Sequence, residues 1–462
     1  MSAPGLDKSA SADAERAVTD VGAGPAGGSR RAVRDVLWRY CVATAGPVGS
    51  AVAQFGLSVV LLRTLSPDAF GAFSILLIAS QFSTGVISAL FCAPLPVLMA
   101  IDDSALRART LESLFASNQL VALLTVVVFA VCGRALDIEW GAALLFAAYA
   151  GVASLRWFAR AHAYASEHAL RTTASDVVYA CVLAAGVAYV ALVPGAGLRA
   201  AFGALLVSAA AGMAPFGLSY LRTQFSRIRM RQLKAYRSVW REHSGWSLLG
   251  VLTTEATGNA HAYIVTLVMG AGALAPLAAS ALLIRPIAVV TNALSEFERA
   301  RVARQIGDGD SAGSLSSLRG FRAALFAAWV GTVAVAVAVL AFHPRLLFPP
   351  QYELNVLIVG AGLWIAVGGV RALRQPDSVL LQAVGQFRLL ALASVYSGVV
   401  SILAVAVLVS VQGALWSIAG VLVGETLFAA WTWRRARAWK ADHLASERLN
   451  RAGATTGPQE KK

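Results

Sequence analysis

Charged residues inside long apolar segments are the residues of this sequence best placed to do chemistry. Arg285, Glu255 and Glu425 each lie near the middle of an apolar stretch of about 20 residues, the length that crosses a bilayer. A charge at that depth is costly and is therefore a candidate functional group. A guanidinium does not lose its charge, and it matches phosphate oxygens with parallel hydrogen bonds. The sequence therefore predicts an anion-binding site around Arg285.

A second interpretation pairs Arg285 with Glu255, which lies on the preceding apolar segment. The two residues are predicted at similar depths, and each would otherwise be a buried charge without a partner. An anion site and a structural ion pair therefore both stay open at the level of sequence, and both can hold in different states of the protein.

Three further polar residues of the apolar segments complete the predicted substrate site. His261 follows Glu255 on the same segment, about 120° away around a helix, and a hydrogen-bonded core histidine is favoured over a proton relay. Gln54 and Asn259 carry amides that suit either hydroxyl groups of a ligand or contacts between helices. The predicted substrate-binding residues are Arg285, Glu255, His261, Gln54 and Asn259.

Two acidic residues are candidates for coupling transport to an ion. Glu425 lies in the middle of the last apolar segment, and Asp176 lies near the end of an earlier one. Intramembrane carboxylates of this kind occur in proton and cation pathways. Packing explains Glu425 equally well, and local charge balance near Arg171 is the favoured explanation of Asp176.

The sequence contains no constellation of residues typical of an enzyme. It has no Gly-rich phosphate loop, no nucleophile elbow and no cluster with metal-ligand spacing, and its four cysteines are spread through apolar runs. No cofactor and no metal are therefore predicted, and the chain is not expected to be an enzyme. The net charge of +14 is not accompanied by the basic and aromatic motifs of nucleic-acid binding, so nucleic acid is not an expected partner.

Membrane-spanning helices must position the polar residues. The chain is 57% hydrophobic and only 14% charged, whereas about a quarter of an average soluble domain is charged. This composition excludes a soluble protein, and long apolar runs satisfy their backbone polar groups in lipid as helices. The predicted fold class is all-α, a polytopic membrane protein with about twelve transmembrane helices. The predicted spans are 38–62, 70–99, 113–133, 140–163, 173–193, 199–221, 246–270, 274–295, 321–342, 354–374, 390–410 and 413–433.

The distribution of Lys and Arg predicts the orientation of these helices. With the N-terminus inside, only Arg63, Arg134, Arg199 and Arg345 of the 39 basic residues fall in outer loops, and nearly all the others fall in inner segments. Basic loops stay on the cytoplasmic side of a membrane. The chain is therefore predicted to be a multi-pass protein of the inner (plasma) membrane with both termini in the cytoplasm.

Six spans on each side of a basic segment predict two lobes. Trp38-Arg39 opens the first span and Trp240-Arg241 precedes the seventh, a faint sign of an internal repeat. Parallel repeats around a central cavity permit alternating access. The predicted domains are a disordered cytoplasmic tail (1–37), an N-terminal six-helix lobe (38–221), a basic cytoplasmic linker (222–245), a C-terminal six-helix lobe (246–433) and a cytoplasmic tail (434–462).

The stretch 54–81 resembles a known transporter family. It places the turn L-S-P-D-A-F-G, residues 65–71, between two apolar helices. This arrangement resembles the first two helices of the polysaccharide-exporter branch of the MOP superfamily, which includes Wzx-type O-antigen flippases and is related to the MATE multidrug exporters. Pro67 suits a helix start, and Gly71 allows close packing of the next helix. The turn after the seventh span does not repeat the motif, so no family residue is carried over to the second half.

The resemblance implies a flippase for surface polysaccharide synthesis. Such a transporter moves an undecaprenyl-diphosphate-linked oligosaccharide across the inner membrane, and its implied partners are that lipid-linked oligosaccharide, membrane lipids and polysaccharide polymerase machinery. One alternative is a MATE-like multidrug or cation antiporter, although the first four spans carry no Asp or Glu in their interiors to hold a cation. A membrane-embedded polysaccharide polymerase or ligase is less favoured, because such enzymes usually need a large outer loop that this sequence lacks.

Overall fold

The computed structural model describes residues 29–99, 103–166, 168–225 and 230–455, and all regular structure within these ranges is helical. Contacts divide the chain into two compact units, Met1–Ala45 and Gly46–Lys462. Residues 29–45 of the first unit are described, and they are helical. All side-chain contacts discussed below lie within the second unit.

Long helices joined by short connections make up the described chain. They are α1 (Ser29–Thr64), α2 (Pro67–Ile87), α3 (Ser104–Ala135), α4 (Trp140–Ala165), α5 (Ala169–Leu192), α6 (Gly197–Ala211), α7 (Gly245–Met269), α8 (Ala271–Ala281), α9 (Arg285–Gly307), α10 (Ser311–Phe342), α11 (Leu354–Ala383), α12 (Phe387–Gln412) and α13 (Ser417–Thr455). Shorter helices at Leu95–Met99, Leu218–Gln224, Met230–Val239 and Pro344–Leu347 lie in the connections.

Ten helices of the described residues are long and apolar enough to cross a membrane. The predicted spans 38–62 and 246–270 are not among the ten. In α1 the apolar segment is the shorter Val48–Thr64. The helix α7 is 25 residues long, but Glu255, Asn259 and His261 lower its hydropathy. The chain is a multi-pass helical membrane protein, as its composition predicts.

Several predicted boundaries differ from the helix ends. Residues 1–28 of the predicted tail lie outside the described residues, whereas residues 29–37 are the first turns of α1. Within the predicted linker, 230–244 is helical. The last two differences lie at C-terminal ends of helices, where α11 continues to Ala383 and α13 to Thr455. Hydropathy ends a span at its first charges, but a helix can continue into the headgroup region, where water satisfies its polar side chains.

Arg285 lies at the joint between α8 and α9, which follow one another as one interrupted helix. The turn Leu282–Ile284 is a 3-10 helix, and Arg285 is the first residue of α9. Pro286 follows in the first helical turn, where its missing N–H removes no helical hydrogen bond. A 3-10 segment within a helix often marks a functional position, and here it presents the guanidinium that the sequence predicts as a binding group.

The helices α2 and α8 pack closely at their N-terminal ends. The Oγ of Ser66 accepts a hydrogen bond from the N–H of Ala69 and caps α2. A Cβ placed on Gly71 would overlap the carbonyl oxygen of Ala271, and one placed on Gly272 would overlap the carboxylate of Asp68. The glycine of the L-S-P-D-A-F-G turn is therefore required because the backbone of α8 occupies the space of a side chain.

We expect Gly71→Ala to destabilise the protein by about 2 kcal/mol, because an added methyl group in a closely packed site forces the backbone to move. The matched control is Gly331→Ala in α10, where nothing lies within 4 Å of the added Cβ and alanine is the better helix former. Thermal unfolding of the purified protein in detergent measures both changes. Equal midpoints for the two variants would contradict the close contact between α2 and α8.

Candidate substrate-binding site

A cavity of about 190 Å³ lies beside Arg285. Helices from both halves of the chain line it: α1 and α2 from the first half, and α7, α8, α9 and α11 from the second. Its walls are largely apolar and include Phe70, Phe73 and Trp364, while Asn259 and His261 add polar atoms. The sequence-predicted residues Arg285, Asn259 and His261 therefore share one cavity.

The guanidinium of Arg285 connects the second half of the chain to the first. Its Nη1 donates a hydrogen bond to the Oγ of Ser58 on α1, with a donor–acceptor distance of 3.2 Å. Ser58 in turn donates to the backbone carbonyl of Gln54 at 2.9 Å. Since a guanidinium has five N–H donors, this single bond leaves Arg285 with donors to offer to a ligand in the cavity.

A larger cavity of about 770 Å³ adjoins the first. The two cavities share the lining residues Asn259, Ile284, Ala288 and Arg371. The larger one lies between α7, α9, α11, α12 and α13, and its polar lining includes Glu255, Arg374, Gln375, Gln382 and Glu425. Its size is within the range of about 300–1,000 Å³ typical of small-molecule sites.

Three charged residues form an ion-pair cluster in the larger cavity. Glu425 of α13 accepts a hydrogen bond from the Nε of Arg371 at 2.8 Å, and its other oxygen lies 3.3 Å from the Nη2 of Arg374. The Glu425 side chain is only 5% exposed, whereas that of Arg371 is 37% exposed, towards both cavities. The guanidinium of Arg374 also stacks on the ring of Phe428. Glu425 thus sits between two arginines, and Arg371 is the one open to a ligand.

Arg371 and Arg374 are site residues that the sequence does not predict. They lie in the last turn of the predicted span 354–374 and were interpreted as part of the basic connection that follows it. In the structure α11 continues to Ala383, and both arginines lie on its cavity face. Their spacing of three residues, which puts them on one side of a helix, was the available signal.

Glu255 and His261 have their own partners. The two carboxylate oxygens of Glu255 accept hydrogen bonds from Asn259 Nδ2 at 3.0 Å and from the Tyr263 hydroxyl at 2.9 Å. Within the described residues no ion pair joins Glu255 to Arg285, so the structural pair considered from the sequence is not formed in this conformation. The His261 ring packs edge-on against Trp364, and its buried Nδ1 has no hydrogen-bond partner.

Gln54 and Asp176 lie in a separate buried network of the first half. Asp176 forms ion pairs with Arg156 and Arg160 of α4, and the guanidinium of Arg156 lies over the ring of Tyr179. Gln54 donates a hydrogen bond to the Tyr179 hydroxyl at 3.0 Å. Neither Gln54 nor Asp176 lines the two cavities described above. Local charge balance thus accounts for the position of Asp176, with arginines of α4 as its partners.

The charge of the joined cavities is positive. Arg285, Arg371 and Arg374 line them together with two carboxylates, Glu255 and Glu425. Glu425 forms ion pairs with Arg371 and Arg374, and Glu255 accepts hydrogen bonds from neutral groups. Arg285 is thus a cation without an ionic partner among the described residues. This arrangement can hold an anionic group at Arg285, with Arg371 next to it.

Comparison with solved structures gives the fold. An inward-facing multidrug resistance MATE family transporter of the MOP superfamily superposes with a TM-score of 0.61 at 13% identity, covering 87% of this chain and 99% of that chain. An outward-facing one gives a TM-score of 0.57 at 13% identity, covering 88% and 95%. A eukaryotic MATE transporter gives 0.59 at 14% identity, covering 87% and 97%.

No protein-family model and no curated protein matches the sequence. The predicted all-helical membrane fold of the MATE and MOP type is confirmed, since the solved neighbours cover most of this chain. The finer prediction of the polysaccharide-exporter branch is not confirmed by these comparisons, because all the neighbours named above are MATE transporters.

Proposed function

We propose that this chain, which has the fold of the MATE transporters, is a membrane transporter of an anionic, lipid-linked substrate. The observation that carries the proposal is the cavity at Arg285, where a cation without an ionic partner adjoins a larger cavity lined by Arg371 and Arg374. Arginine is suited to phosphate groups because its planar fork matches two oxygens at once. A site for organic cations would instead rest on carboxylates such as Glu255, whose two oxygens already accept hydrogen bonds from Asn259 and Tyr263.

The proposed substrate is an oligosaccharide linked to undecaprenyl diphosphate. Arg285 and Arg371 would hold the diphosphate, and polar groups such as Gln375 and Gln382 of the larger cavity would face the sugar. The resemblance of residues 54–81 to polysaccharide exporters supports this substrate class. The lipid tail would stay in the bilayer, between the six-helix lobes 38–221 and 246–433 that are part of this proposal.

The orientation that follows from the basic residues is part of the proposal. With both termini in the cytoplasm, the larger cavity is lined by the first half of α7 and the second half of α11, which lie towards the inner side. The substrate would enter there, from the inner leaflet of the plasma membrane, and be released outside. Polysaccharide polymerase machinery would then be the partner that uses it. In this scheme the chain moves its substrate without changing it chemically.

Transport into vesicles tests the proposal. The purified protein is reconstituted in liposomes with a fluorescently labelled undecaprenyl-diphosphate disaccharide, and dithionite quenching reports the fraction in the accessible leaflet. We expect movement between leaflets many times faster than in protein-free vesicles. The control is a preparation whose protein is active, as shown by its transport of another compound. Equal rates of movement with and without protein in that preparation would overturn the proposed substrate.

A MATE-like antiporter of cationic drugs is the second candidate. It is favoured by the fold shared with multidrug MATE transporters and by Glu255, a carboxylate in the larger cavity that has no cationic partner among the described residues. Ethidium accumulation in cells separates the candidates. The second candidate predicts that expression lowers ethidium accumulation and that Glu255→Gln abolishes this effect, whereas the first predicts no change in either case.

A further inference from the structure

An open pocket lies at the hairpin between α9 and α10, separate from the two cavities described above. The pocket has a volume of about 380 Å³. Glu298, Arg301 and Gln305 line it from α9, where their spacing of three and four residues puts them on one face. On α10 it is lined mainly by small residues, including Ser316 and Ser317, which leave room for a ligand.

Two oxygen acceptors in this pocket lack donors among the described residues. Glu298 is 8% exposed, and its Oε2 is buried without a hydrogen-bond partner in that part of the chain. The Oε1 of Gln305 is likewise buried and unpartnered. Leaving such groups unpaired is costly, particularly for a carboxylate. Burial raises the pKa of the Glu298 carboxyl, and the charge of Arg301 offsets part of that rise. A ligand with a positively charged donor would satisfy the Glu298 carboxylate, and the Gln305 oxygen is a second acceptor on the same face of α9.

The same pocket offers donors for an anion. The Nη1 of Arg301 lies 3.7 Å from the Oε1 of Glu298, too far for a hydrogen bond, and its side chain is 49% exposed. The hydroxyls of Ser316 and Ser317 line the opposite wall. The pocket therefore combines unpartnered acceptors with donors, with Arg301 lying between Glu298 and Gln305 on α9, and a zwitterion with its charges a few bonds apart is complementary to such a mixture.

The pocket lies at the level of lipid headgroups. The membrane span that contains α8 ends at Thr291, before Glu298, and the next span begins at Gly313. In the orientation predicted from the basic residues, this is the inner surface of the membrane. Phospholipid headgroups are zwitterions found at that level.

We propose that this pocket binds the phosphoethanolamine headgroup of an aminophospholipid in the inner leaflet. The primary ammonium would donate to Glu298 Oε2 and Gln305 Oε1, and the phosphate would accept from Arg301 and the two serine hydroxyls. The trimethylated ammonium of a choline lipid has no N–H to donate, so the pocket would discriminate between the two headgroups. The proposal does not depend on the transported substrate.

Lipid binding in nanodiscs tests this proposal. The probe is a spin-labelled phosphatidylethanolamine, compared with phosphatidylcholine carrying the same chains. We expect the protein to prefer the ethanolamine lipid by about tenfold, the lower end of what a charged hydrogen bond contributes. Equal binding of the two lipids to the unmodified protein would overturn the proposal.

Variants of the two regions should separate their roles. Glu298→Gln should bring the preference to within about twofold, because the charged acceptor is lost. Arg301→Gln should weaken both lipids alike, because both carry a phosphate. Arg319→Gln is the control, since Arg319 is an exposed cation of the same hairpin outside the pocket. If Glu298→Gln does not fold, the Arg301 result decides, and weakening of the ethanolamine lipid alone would contradict the assignment of the phosphate.

A soluble competitor distinguishes a lipid from a free metabolite with the same headgroup. Glycerophosphoethanolamine should displace the labelled lipid only at concentrations far above those of the lipid itself, because it has no acyl chains to partition into the membrane. If it binds as tightly as the lipid, the proposed lipid source is wrong.

Discussion

Replacing Arg285 with glutamine is expected to reduce substrate movement about 100-fold while leaving the amount of folded protein nearly unchanged. The charged hydrogen bonds that a guanidinium makes to phosphate contribute about 1.5–3 kcal/mol each, and Arg285 can make two. Among the described residues its side chain makes one hydrogen bond, of 3.2 Å to Ser58, so little of the fold depends on that side chain. The vesicle assay with the labelled undecaprenyl-diphosphate disaccharide measures the rate.

Two controls accompany this variant. Arg285→Lys keeps the charge but not the planar fork, and we expect about a tenfold loss of rate. Arg199→Gln removes an arginine whose side chain is 71% exposed outside the two cavities, and it should transport normally. If Arg285→Gln and Arg285→Lys lower protein abundance as much as transport, Arg285 is a structural residue and not a binding group.

Glu425→Gln is expected to lower the free energy of unfolding by about 3 kcal/mol, as breaking a buried ion pair does. The carboxylate is 5% exposed and is the ion-pair partner of both Arg371 and Arg374. Without it, Arg374 is a buried guanidinium, 14% exposed, with no counter-ion among the described residues. Thermal and denaturant unfolding in detergent measure the loss.

A second substitution distinguishes this structural role from ion coupling. Arg374→Gln combined with Glu425→Gln should be more stable than Glu425→Gln alone, because the uncompensated cation is removed as well. Glu353→Gln, at the exposed start of α11, is the control and should not change stability. If Glu425→Gln were fully stable and instead abolished the dependence of transport on a proton or sodium gradient, Glu425 would be the coupling residue.

The general fold could be predicted because it depends on few quantities. The length of the apolar runs and the charges between them define most of the helices, and Arg285 stands out because no other charge lies near it in its segment. Its place beside a cavity follows from the high cost of a cation facing lipid. Residues close together in the sequence are therefore enough to predict the helices and the position of Arg285.

The rest of the site depends on contacts between distant residues. From hydropathy alone, Arg371 and Arg374 mark the end of a membrane span. The structure adds their ion pairs with Glu425, which lies on another helix. In the same way Asp377, which follows Pro376 inside α11, is paired with Arg322 and Lys440 of other helices. Hydropathy read along one segment cannot include such partners.

Helix rotation is the other quantity that the sequence left undetermined. Gln54 was predicted to bind substrate, but its side chain lies against Tyr179, in the network around Asp176, and not in the cavity. Ser58, one helical turn later, is the residue of α1 that reaches Arg285. An apolar helix with scattered polar residues has no clear polar face, so the sequence does not say which of them points to the cavity.

The cationic cavity is tested most directly by competition in the detergent-solubilised protein. The labelled undecaprenyl-diphosphate disaccharide is bound to the protein, and pyrophosphate or ethidium is added as competitor. If Arg285 and its cavity bind the diphosphate, pyrophosphate displaces the label, ethidium does not, and Arg285→Gln binds little label at the start. Displacement by ethidium but not by pyrophosphate, with unchanged binding in Arg285→Gln, would contradict an anion site at Arg285.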